Sequence, residues 1–364
     1  LENVPVGTVG SETEEPSPTP DEKLASIHYS KALSEENEQN YAGAIADYTE
    51  AILANPLFAD AYKGRGRVHL FSEIKRSNGS KLLKWRQAVN SAQSSLDVRR
   101  AQKAMEQSVP ATATSPGLDK AAADLSKAIG IKPDDAEAYF DRGLVYNRIG
   151  SHSKAIADFS EAIRLNGDYK DAYIQRGTVY GHLGQYAKAI ADYSAVIRLE
   201  PNKDIYMVDR GRAYESLGEH DKAIADYSEA IRLNPNNGDA YFNRGLIYSA
   251  LRKYDKAIAD LTEAISQLRR QGRYNFEAYY NRGLAYAALR QYDKAITDYS
   301  EVILQREPPT NFGDPIRFDP TTIQIEPTYV NAYENRGKAY EAIGEREKAK
   351  GDFKTAQQLG FRKN

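Results

Sequence analysis

The sequence predicts an all-α fold in which short helical hairpins stack into a solenoid. The first observation behind this prediction is an Arg-Gly pair that recurs along most of the chain. The pair stands at Arg65-Gly66, Arg142-Gly143, Arg176-Gly177, Arg210-Gly211, Arg244-Gly245, Arg282-Gly283 and Arg336-Gly337. The numbers of successive arginines differ by 77, 34, 34, 34, 38 and 54. A fixed period of about 34 residues is typical of a helical repeat array.

The second observation is helical spacing inside each unit. In the unit that begins at Ala136, small and apolar residues fall at helical spacing in two groups. The groups are Tyr139, Gly143 and Tyr146, then Ala155, Phe159 and Ala162. Gly150 lies between them, where a break between two helices is expected. Each helix would have about 14 residues, too few to be stable alone in water, so the hairpins must pack against their neighbours.

The commonest interval divides the chain into eight units, and the three longer intervals locate three insertions. The units are 25–58, 59–135, 136–169, 170–203, 204–237, 238–275, 276–329 and 330–363. The first unit differs most, because His28, Lys31 and Glu35 stand where other units have Tyr, Arg and Tyr. We expect this unit to be an end cap whose outer face meets water.

Residues 1–24 precede the first unit and are rich in Pro, Ser, Thr and Glu. This composition cannot bury enough apolar surface to order itself, so we expect a disordered acidic tail or linker. Leu1 is not a translation start, and we expect a processed or trimmed chain. Loss of an upstream signal or membrane anchor would make the protein exported or membrane-tethered, and we favour this over the alternative of a trimmed cytosolic tail.

The bulk composition argues against several classes of protein. The net charge is −2, so the chain has no electrostatic footprint for nucleic acid, and we expect no nucleic-acid partner. No stretch approaches the run of about 20 apolar residues that crosses a bilayer. Cysteine is absent, which excludes disulfides, thiolate metal sites and cysteine nucleophiles.

The longest insertion, residues 73–116, lies between the two predicted helices of the second unit. Its apolar residues fall at helical spacing, and its basic side chains outnumber the acidic ones. It carries Trp85, the only tryptophan, and the Arg99-Arg100 pair. Three interpretations stay open: an extra structural layer or lengthened hairpin, a partner-docking arm, and a membrane-surface or nucleic-acid element.

The third insertion, residues 306–327, is a loop rich in proline. Its prolines stand at 308, 309, 315, 320 and 327 and prevent a regular helix. A long ordered loop in a compact array is more often functional than neutral. Phe312 and Phe318 would either fold back towards a groove or contact a partner.

The repeated residues resemble those of the tetratricopeptide repeat (TPR) family. The small residue of that family's first helix corresponds to Gly143, and the aromatic residue three positions later corresponds to Tyr146. The alanines of its second helix correspond to Ala155 and Ala162, and its closing proline to Pro56, Pro133, Pro201 and Pro235. The resemblance covers nearly all of the chain after the tail and is closest to bacterial members. It implies a right-handed superhelix whose first helices line a concave groove.

An arginine occupies the position before the glycine, where the family commonly has Leu. A carboxylate recurs in step, at Asp47, Asp124, Asp158, Asp192, Asp226, Asp260, Asp298 and Asp352. We interpret each Arg as bonded to an Asp of its own or an adjacent unit. The alternative is an arginine ladder for anionic ligands. On the first interpretation, Arg244→Leu is expected to be tolerated and Arg244→Ala to destabilise.

The resemblance places three rows of residues in the groove. One stripe consists of Phe140, Ile174, Val208, Phe242 and Tyr280, and ends in Glu334. A second stripe, one helical turn on, consists of Leu144, Thr178, Arg212, Leu246, Leu284 and Lys338. A polar row beside them consists of Asp141, Gln175, Asp209, Asn243, Asn281 and Asn335. Amides in such a row can bond the backbone of an extended peptide, whereas helix capping or solvated polarity is the alternative.

We therefore predict a protein-interaction scaffold that binds an extended peptide or helix of another protein in its groove, with the insertions adding specificity. The alternative is a structural assembly subunit that uses its convex face and insertions. The chaperone-tail clamp of the family is not matched, since Lys63 is followed by Arg67 where Asn is needed. Membrane contact through an upstream anchor and self-association stay open.

No residue pattern indicates an active site. The five histidines lack metal-ligand spacing, and phosphate-loop and dinucleotide motifs are absent from the sequence. The acidic residues recur with the repeat, which accounts for them without paired-carboxylate chemistry. We expect a protein that is not an enzyme and that needs no metal or cofactor.

Overall fold

The computed structural model describes residues 19–91, 115–304 and 327–360, and the regular elements in these ranges are sixteen α-helices. The helices are α1 (Pro20–Asn37), α2 (Tyr41–Ala54), α3 (Ala59–Ser91), α4 (Pro116–Ile131), α5 (Ala136–Arg148), α6 (His152–Leu165), α7 (Lys170–His182), α8 (Tyr186–Leu199), α9 (Asp204–Ser216), α10 (His220–Leu233), α11 (Gly238–Ala250), α12 (Tyr254–Arg270), α13 (Phe276–Ala288), α14 (Tyr292–Leu304), α15 (Pro327–Ala342) and α16 (Arg346–Gly360). The predicted all-α repeat fold is confirmed. Among the helices of these ranges, none combines the length and the apolar character needed to cross a bilayer.

The described residues fall into two compact units. The first contains residues 19–82 and 115–172, and the second contains residues 173–304 and 327–360. In the first unit, Tyr48 of α2 is fully buried among Ala32, Ala61 and Val68 from the flanking helices. A second cluster joins α3, α4 and α5 around the fully buried Leu125. The core of this unit thus lies between successive hairpins.

The first helix begins earlier than the predicted boundary of the tail at residue 24. Thr19 and Glu22 form a capping box, in which each side chain bonds the backbone N–H of the other residue. Pro20 occupies the first helical position, where its missing N–H costs nothing, and Asp21 adds a favourable negative charge. The segment from Pro20 is therefore helical because its Pro, Asp and Glu act as start signals rather than as markers of a linker.

Helix α3 is a single helix of 33 residues and runs into the predicted insertion at 73–116. The insertion thus begins as an extension of the first helix of its hairpin. Trp85 lies on this extension, but its side-chain surroundings, like Arg99 and Arg100, lie outside the described residues. Phe312 and Phe318 of the proline-rich loop also lie outside them. The roles of both insertions stay predictions.

In the second unit, the first helices α9, α11, α13 and α15 pack on the second helices of their own hairpins, and successive first helices of this set also touch one another. The pairs α9–α11, α11–α13 and α13–α15 are in direct contact. Tyr193, Tyr227 and Tyr299 of the second helices are fully buried. A Cβ at Gly211 would stand 2.7 Å from the Tyr227 ring, so this glycine allows the two helices to approach closely, as the sequence predicts.

The longer interval between Arg244 and Arg282 reflects a longer second helix, α12, with 17 residues. Its added turn places the buried Leu268 against Gly238 of α11. Arg273, just after the helix, pairs with the buried Asp239, with Nη1 to Oδ2 at 3.1 Å. The added residues therefore extend the core of this hairpin.

The repeated arginines are bonded to the repeated aspartates, as predicted. Arg244 donates from Nε and Nη2 to the two carboxylate oxygens of Asp260, at 2.7 and 2.8 Å. Its Nη1 donates to Ser228 Oγ on the second helix of the preceding hairpin, at 2.9 Å. The same two-oxygen bond joins Arg65–Asp124, Arg142–Asp158, Arg176–Asp192, Arg210–Asp226, Arg282–Asp298 and Arg336–Asp352. Because each guanidinium is engaged in this way, the arginines are structural and do not form a free anion ladder.

Candidate functional site on the first helices

The surface formed by the two predicted stripes and the polar row is called here the first-helix surface. In the second unit it runs from Ile174 to Lys338, and in the first unit it contains Phe140, Asp141 and Leu144 together with neighbouring residues of α1 and α3. The two parts are described separately.

The first stripe in the second unit is less open than the sequence suggests. Val208 is 2% exposed and Phe242 is 9% exposed. Val208 packs with Tyr227 and Ala240, and Phe242 packs with Leu261 and Ala278 of the adjacent helices. Both residues are predicted to line the groove, but their position lies where successive hairpins stack, so their side chains are largely buried. Ile174 and Tyr280 are half-buried and Glu334 is exposed.

The second stripe is more accessible. Leu246 and Leu284 are half-buried and Lys338 is exposed. Thr178 is buried, with its Oγ1 at 3.5 Å from Tyr193 Oη. Arg212 is half-buried, and its Nη1 lies 3.8 Å from Asp209 Oδ1. The accessible side chains of this unit therefore lie at the margin of the hairpin stack rather than within it.

The amides of the polar row differ in how they are engaged. Asn281 Nδ2 donates to the Glu277 carbonyl on its own helix at 2.8 Å, and Asn335 Nδ2 donates to Tyr280 Oη at 2.9 Å. Gln175 is half-buried. Asn243 is 8% exposed, and its Nδ2 is a buried donor with no acceptor among the described residues. The row is thus not a uniform series of free amides.

Other buried polar atoms of the second unit share this condition, and Arg212 Nη1 and Tyr299 Oη are among them. Within the described ranges, Arg212 Nη1 donates no hydrogen bond, and Tyr299 Oη has no hydrogen-bond partner. A buried donor without an acceptor costs about 1–3 kcal/mol. Arg212 Nη1 and Asn243 Nδ2 are both donors, so the second unit presents buried groups that require oxygen acceptors.

The first unit carries a charged network on α1, α3 and α5. Arg67 donates from Nε and Nη2 to Glu36, at 3.0 and 3.2 Å, and from Nη1 to Glu137 at 3.3 Å. Lys63 Nζ donates to Asp135 at 2.9 Å and to Glu137 at 2.8 Å, and lies 3.5 Å from Asp60. Burial alone would lower the pKa of Lys63, but the bonds to Glu137 and Asp135 raise it above its usual value. Both cations are therefore bonded to carboxylates other than Asp141.

Asp141 lies beside this network and is 6% exposed. Its Oδ2 is buried and has no hydrogen-bond partner among the described residues. Burial raises the pKa of Asp141 to about 7, although the nearby Arg67 opposes the shift. Its neighbour Leu144 is half-buried, and Phe140 packs on Phe159 and Tyr169, with ring centroids at 5.7 and 5.0 Å.

The sequence alone does not identify this network as a site. It points to Lys63 and Arg67 only as members of a clamp that is not completed, and it does not single out Glu36 and Glu137. The available signal is the departure of Arg67 from the small or apolar residue found in most other units. Within the described ranges, no group of three or more His, Asp or Glu side chains could hold a metal ion.

Comparison with protein families gives repeated matches along the chain. Models described as TPR repeat match residues 118–150 and 211–252. Models described as tetratricopeptide repeat match residues 171–203, 238–270 and 276–307, residues 136–169, and residues 29–70. Among curated proteins, none matches the sequence.

Solved structures with a similar fold include repeat proteins of low sequence identity. The C-terminal part of a TPR repeat-containing protein from Cytophaga hutchinsonii is 17% identical, with a TM-score of 0.57 over 78% of this chain and 96% of that one. A tetratricopeptide repeat protein from Parabacteroides merdae is 20% identical, with a TM-score of 0.46 over 78% of this chain and 94% of that one. YrrB, described as a TPR protein with an unusual peptide-binding site, is 21% identical, with a TM-score of 0.44 over 60% of this chain and 91% of that one.

Proposed function

Because the chain belongs to the tetratricopeptide repeat family, we propose that it is a scaffold that binds an extended segment of another protein on its first-helix surface. The family fold is in general a non-enzymatic, protein-interaction fold. No small-molecule chemistry is needed to account for the polar groups described above. The finer part of the proposal concerns where the segment binds and which atoms bind it.

The observation that carries the proposal is the buried amide of Asn243. Its Nδ2 has no acceptor in the described structure, whereas the amides of Asn281 and Asn335 are bonded internally. An extended peptide presents a regular row of backbone carbonyls, which are acceptors of the kind that Asn243 and Arg212 lack. A bound segment would remove the cost of leaving these donors unpaired.

The half-buried side chains beside these donors favour a peptide over a small polar ligand. Leu246 and Leu284 flank the row, and Tyr280 lies near its end. Apolar side chains of an alternating segment could contact them while its carbonyls face the donors. We therefore expect a segment whose specificity comes from apolar residues and whose orientation comes from its backbone.

The test is selection of peptides from a display library of short random sequences on the immobilised protein, followed by calorimetry on the selected peptides. Asn243→Ala should weaken binding about 3- to 10-fold, as expected for loss of one hydrogen bond to a buried group. The matched control is Asn281→Ala, whose amide is already bonded to its own helix and whose loss should change binding less. Melting temperatures check that both variants are folded.

Two outcomes would contradict the proposal. One is a failure to select any peptide on the native protein. The other is selection of peptides whose affinity is unchanged by Asn243→Ala and by Leu246→Ala, since both side chains lie on the proposed surface. Phe242 is unsuitable for this test because a polar substitution there would disrupt the core.

A role as an assembly subunit has one independent observation in its favour. Leu183, Leu217 and Leu251 recur once per repeat at the turns between the two helices of a hairpin, and they are 42%, 44% and 37% exposed. A row of exposed leucines is a candidate protein contact. Light scattering over a range of concentrations, with Leu217→Lys as the variant, measures whether copies of the chain associate through this row.

A further inference from the structure

The first unit contains a carboxylate that the fold buries without a partner. Asp141 is more than nine-tenths buried, and Oδ2 accepts no hydrogen bond from the described residues. An unpaired buried carboxylate is costly, and protein chains normally pair it or replace it. A role outside the folding of the free chain would explain why an aspartate stands here.

The nearby cations do not bond this carboxylate in the described structure, because their hydrogen bonds go to other carboxylates. Arg67 directs Nε and Nη2 to Glu36 and Nη1 to Glu137. The three donors of the Lys63 ammonium group face Asp135, Glu137 and Asp60. Tyr48 also donates to Glu36, at 2.9 Å. The charge balance around Asp141 is negative, because five carboxylates outnumber the three nearby cations. The carboxylates are Glu36, Asp60, Asp135, Glu137 and Asp141, and the cations are Lys63, Arg67 and Lys132.

The equivalent aspartate of the second unit has a cation on its own helix. Asp209 stands two repeats after Asp141 and is equally buried, at 6% exposure. Arg212, three positions later, lies 3.8 Å from it, whereas the residue three positions after Asp141 is Leu144. The chain therefore supplies its own cation at Asp209 and supplies none at Asp141.

We propose that Asp141 is the receptor for a lysine or arginine side chain of the bound protein segment. This inference rests on the proposed function, because the cation belongs to a protein segment bound on the part of the first-helix surface that lies in the first unit. The ammonium or guanidinium group would pair with Asp141 Oδ2 and be held in the surplus negative charge of the network. Phe140, Leu144 and Tyr169 would cover the aliphatic stem of the side chain.

The test uses the same library of random peptides, selected in parallel on the native protein and on Asp141→Asn. Peptides selected on the native protein should carry Lys or Arg at one fixed position, and those selected on the variant should not. For a synthetic peptide from the native selection, replacing that basic residue by norleucine should weaken binding on the order of 10-fold or more, as for a hydrogen bond to a charged group.

A double-mutant cycle then assigns the contact. If the basic residue pairs with Asp141, its replacement should cost little on Asp141→Asn, whereas on the control variant Asp209→Asn it should cost as much as on the native protein. The melting temperature of Asp141→Asn should equal or exceed that of the native protein, because the variant removes a buried charge. A lower melting temperature would show that the carboxylate is needed for folding and would contradict the proposal.

The outcomes distinguish a failure of this inference from a failure of the proposed function. Peptides that bind but show no basic preference, or no coupling in the cycle, would overturn the role of Asp141 and leave peptide binding intact. If no peptide is selected on the native protein, the proposed function fails and the role of Asp141 fails with it.

Discussion

Asp141 makes the stability of the protein depend on pH in a direction opposite to that of most carboxylates. Its pKa is about 7 in the folded chain, against an ordinary value of 3.8. Because folding raises this pKa, ionisation favours the unfolded chain. The contribution of Asp141 to stability is therefore greatest below about pH 4 and is lost as the pH rises towards 7.

Asp141→Asn should remove this pH dependence. The gain in unfolding free energy of the variant over the native protein should increase between about pH 4 and pH 7, by on the order of 1 kcal/mol or more. Urea melts followed by circular dichroism measure the gain. The charged groups that face Asp141 are Arg67, Lys63, Glu137 and Asp135, and they are unchanged in the variant. A gain that is constant over this range would contradict the prediction.

Arg244 should tolerate replacement by leucine less well than its sequence position suggests. Asp260 is 6% exposed, and both of its carboxylate oxygens bond Arg244. Arg244→Leu would leave this carboxylate buried and unpaired, so the expected tolerance of leucine is revised. We now expect Arg244→Leu to destabilise by about 3 kcal/mol, as when one partner of a buried ion pair is removed.

Replacing both partners should restore most of the loss. Arg244→Leu/Asp260→Leu removes both charges together and should be closer to the native protein than the single variant is. Chemical denaturation of the two variants measures the difference. If the double variant is less stable than Arg244→Leu, then leucine at position 260 costs more than the unpaired carboxylate does, which would contradict the prediction. If both variants are far less stable than the native protein, the guanidinium also contributes through Ser228 or through packing on Tyr241 and Tyr248, at 5.8 Å from both rings.

At the scale of the element, two of the turns inside the hairpins contain an arginine in a backbone conformation that favours glycine. Gly150, Gly184, Gly218 and Gly344 have positive φ angles at this turn, between 70° and 86°. Arg252 and Arg290 occupy the same turn with φ of 57° and 56°. A residue with a Cβ is disfavoured in this left-handed region by about 1 kcal/mol or more.

Arg252→Gly should therefore stabilise the protein, by up to about 1 kcal/mol. The side chain of Arg252 is exposed, and no ion pair is recorded for it in the described ranges, so little else is lost. The reciprocal variant Gly218→Arg should destabilise by a similar amount. Thermal melts of the two variants decide the matter, and a loss of stability in Arg252→Gly would show that the arginine is selected for a contact at this turn.

At the scale of the whole molecule, the repeat determined most of what the sequence could predict. The Arg-Gly spacing and the helical pattern predicted the hairpins and the pairing of Arg with Asp, because both follow from a local period. The openness of Val208 and Phe242 could not be read from one unit, since it depends on how the next hairpin packs. The isolation of Asp141 also could not be predicted, because it results from Arg67 and Lys63 being engaged by residues distant in sequence.

The predicted start of α1 is too late for a different reason. Pro, Glu and Asp in residues 20–22 are typical both of a linker and of the first turn of a helix. Thr19 distinguishes the two, since its side chain completes the capping box with Glu22. The composition of the segment alone does not carry that information.

Removing one whole repeat should leave a folded protein. In the native chain, Ser194 accepts a hydrogen bond from Arg210 at 3.0 Å, and Ser228 accepts the equivalent bond from Arg244. Deletion of residues 204–237 removes Arg210 and Ser228, so Ser194 would accept the bond from Arg244. We expect a single helical product with a lower melting temperature, since fewer hairpins stack. Deletion of residues 204–236 is the control, since it breaks the period by one residue. Equal stability of the two shortened chains would contradict the prediction.

Each repeat contains both groups of the hydrogen bond that joins it to its neighbours, namely an arginine donor and a hydroxyl acceptor. The arginine reaches back to a hydroxyl of the preceding hairpin, as in Arg142–Ser126, Arg210–Ser194 and Arg336–Ser300, while its own second helix presents the hydroxyl for the next arginine. A gene that gains or loses one such segment by unequal recombination therefore encodes a matching joint without any further mutation. The length of the array can therefore change in single genetic events.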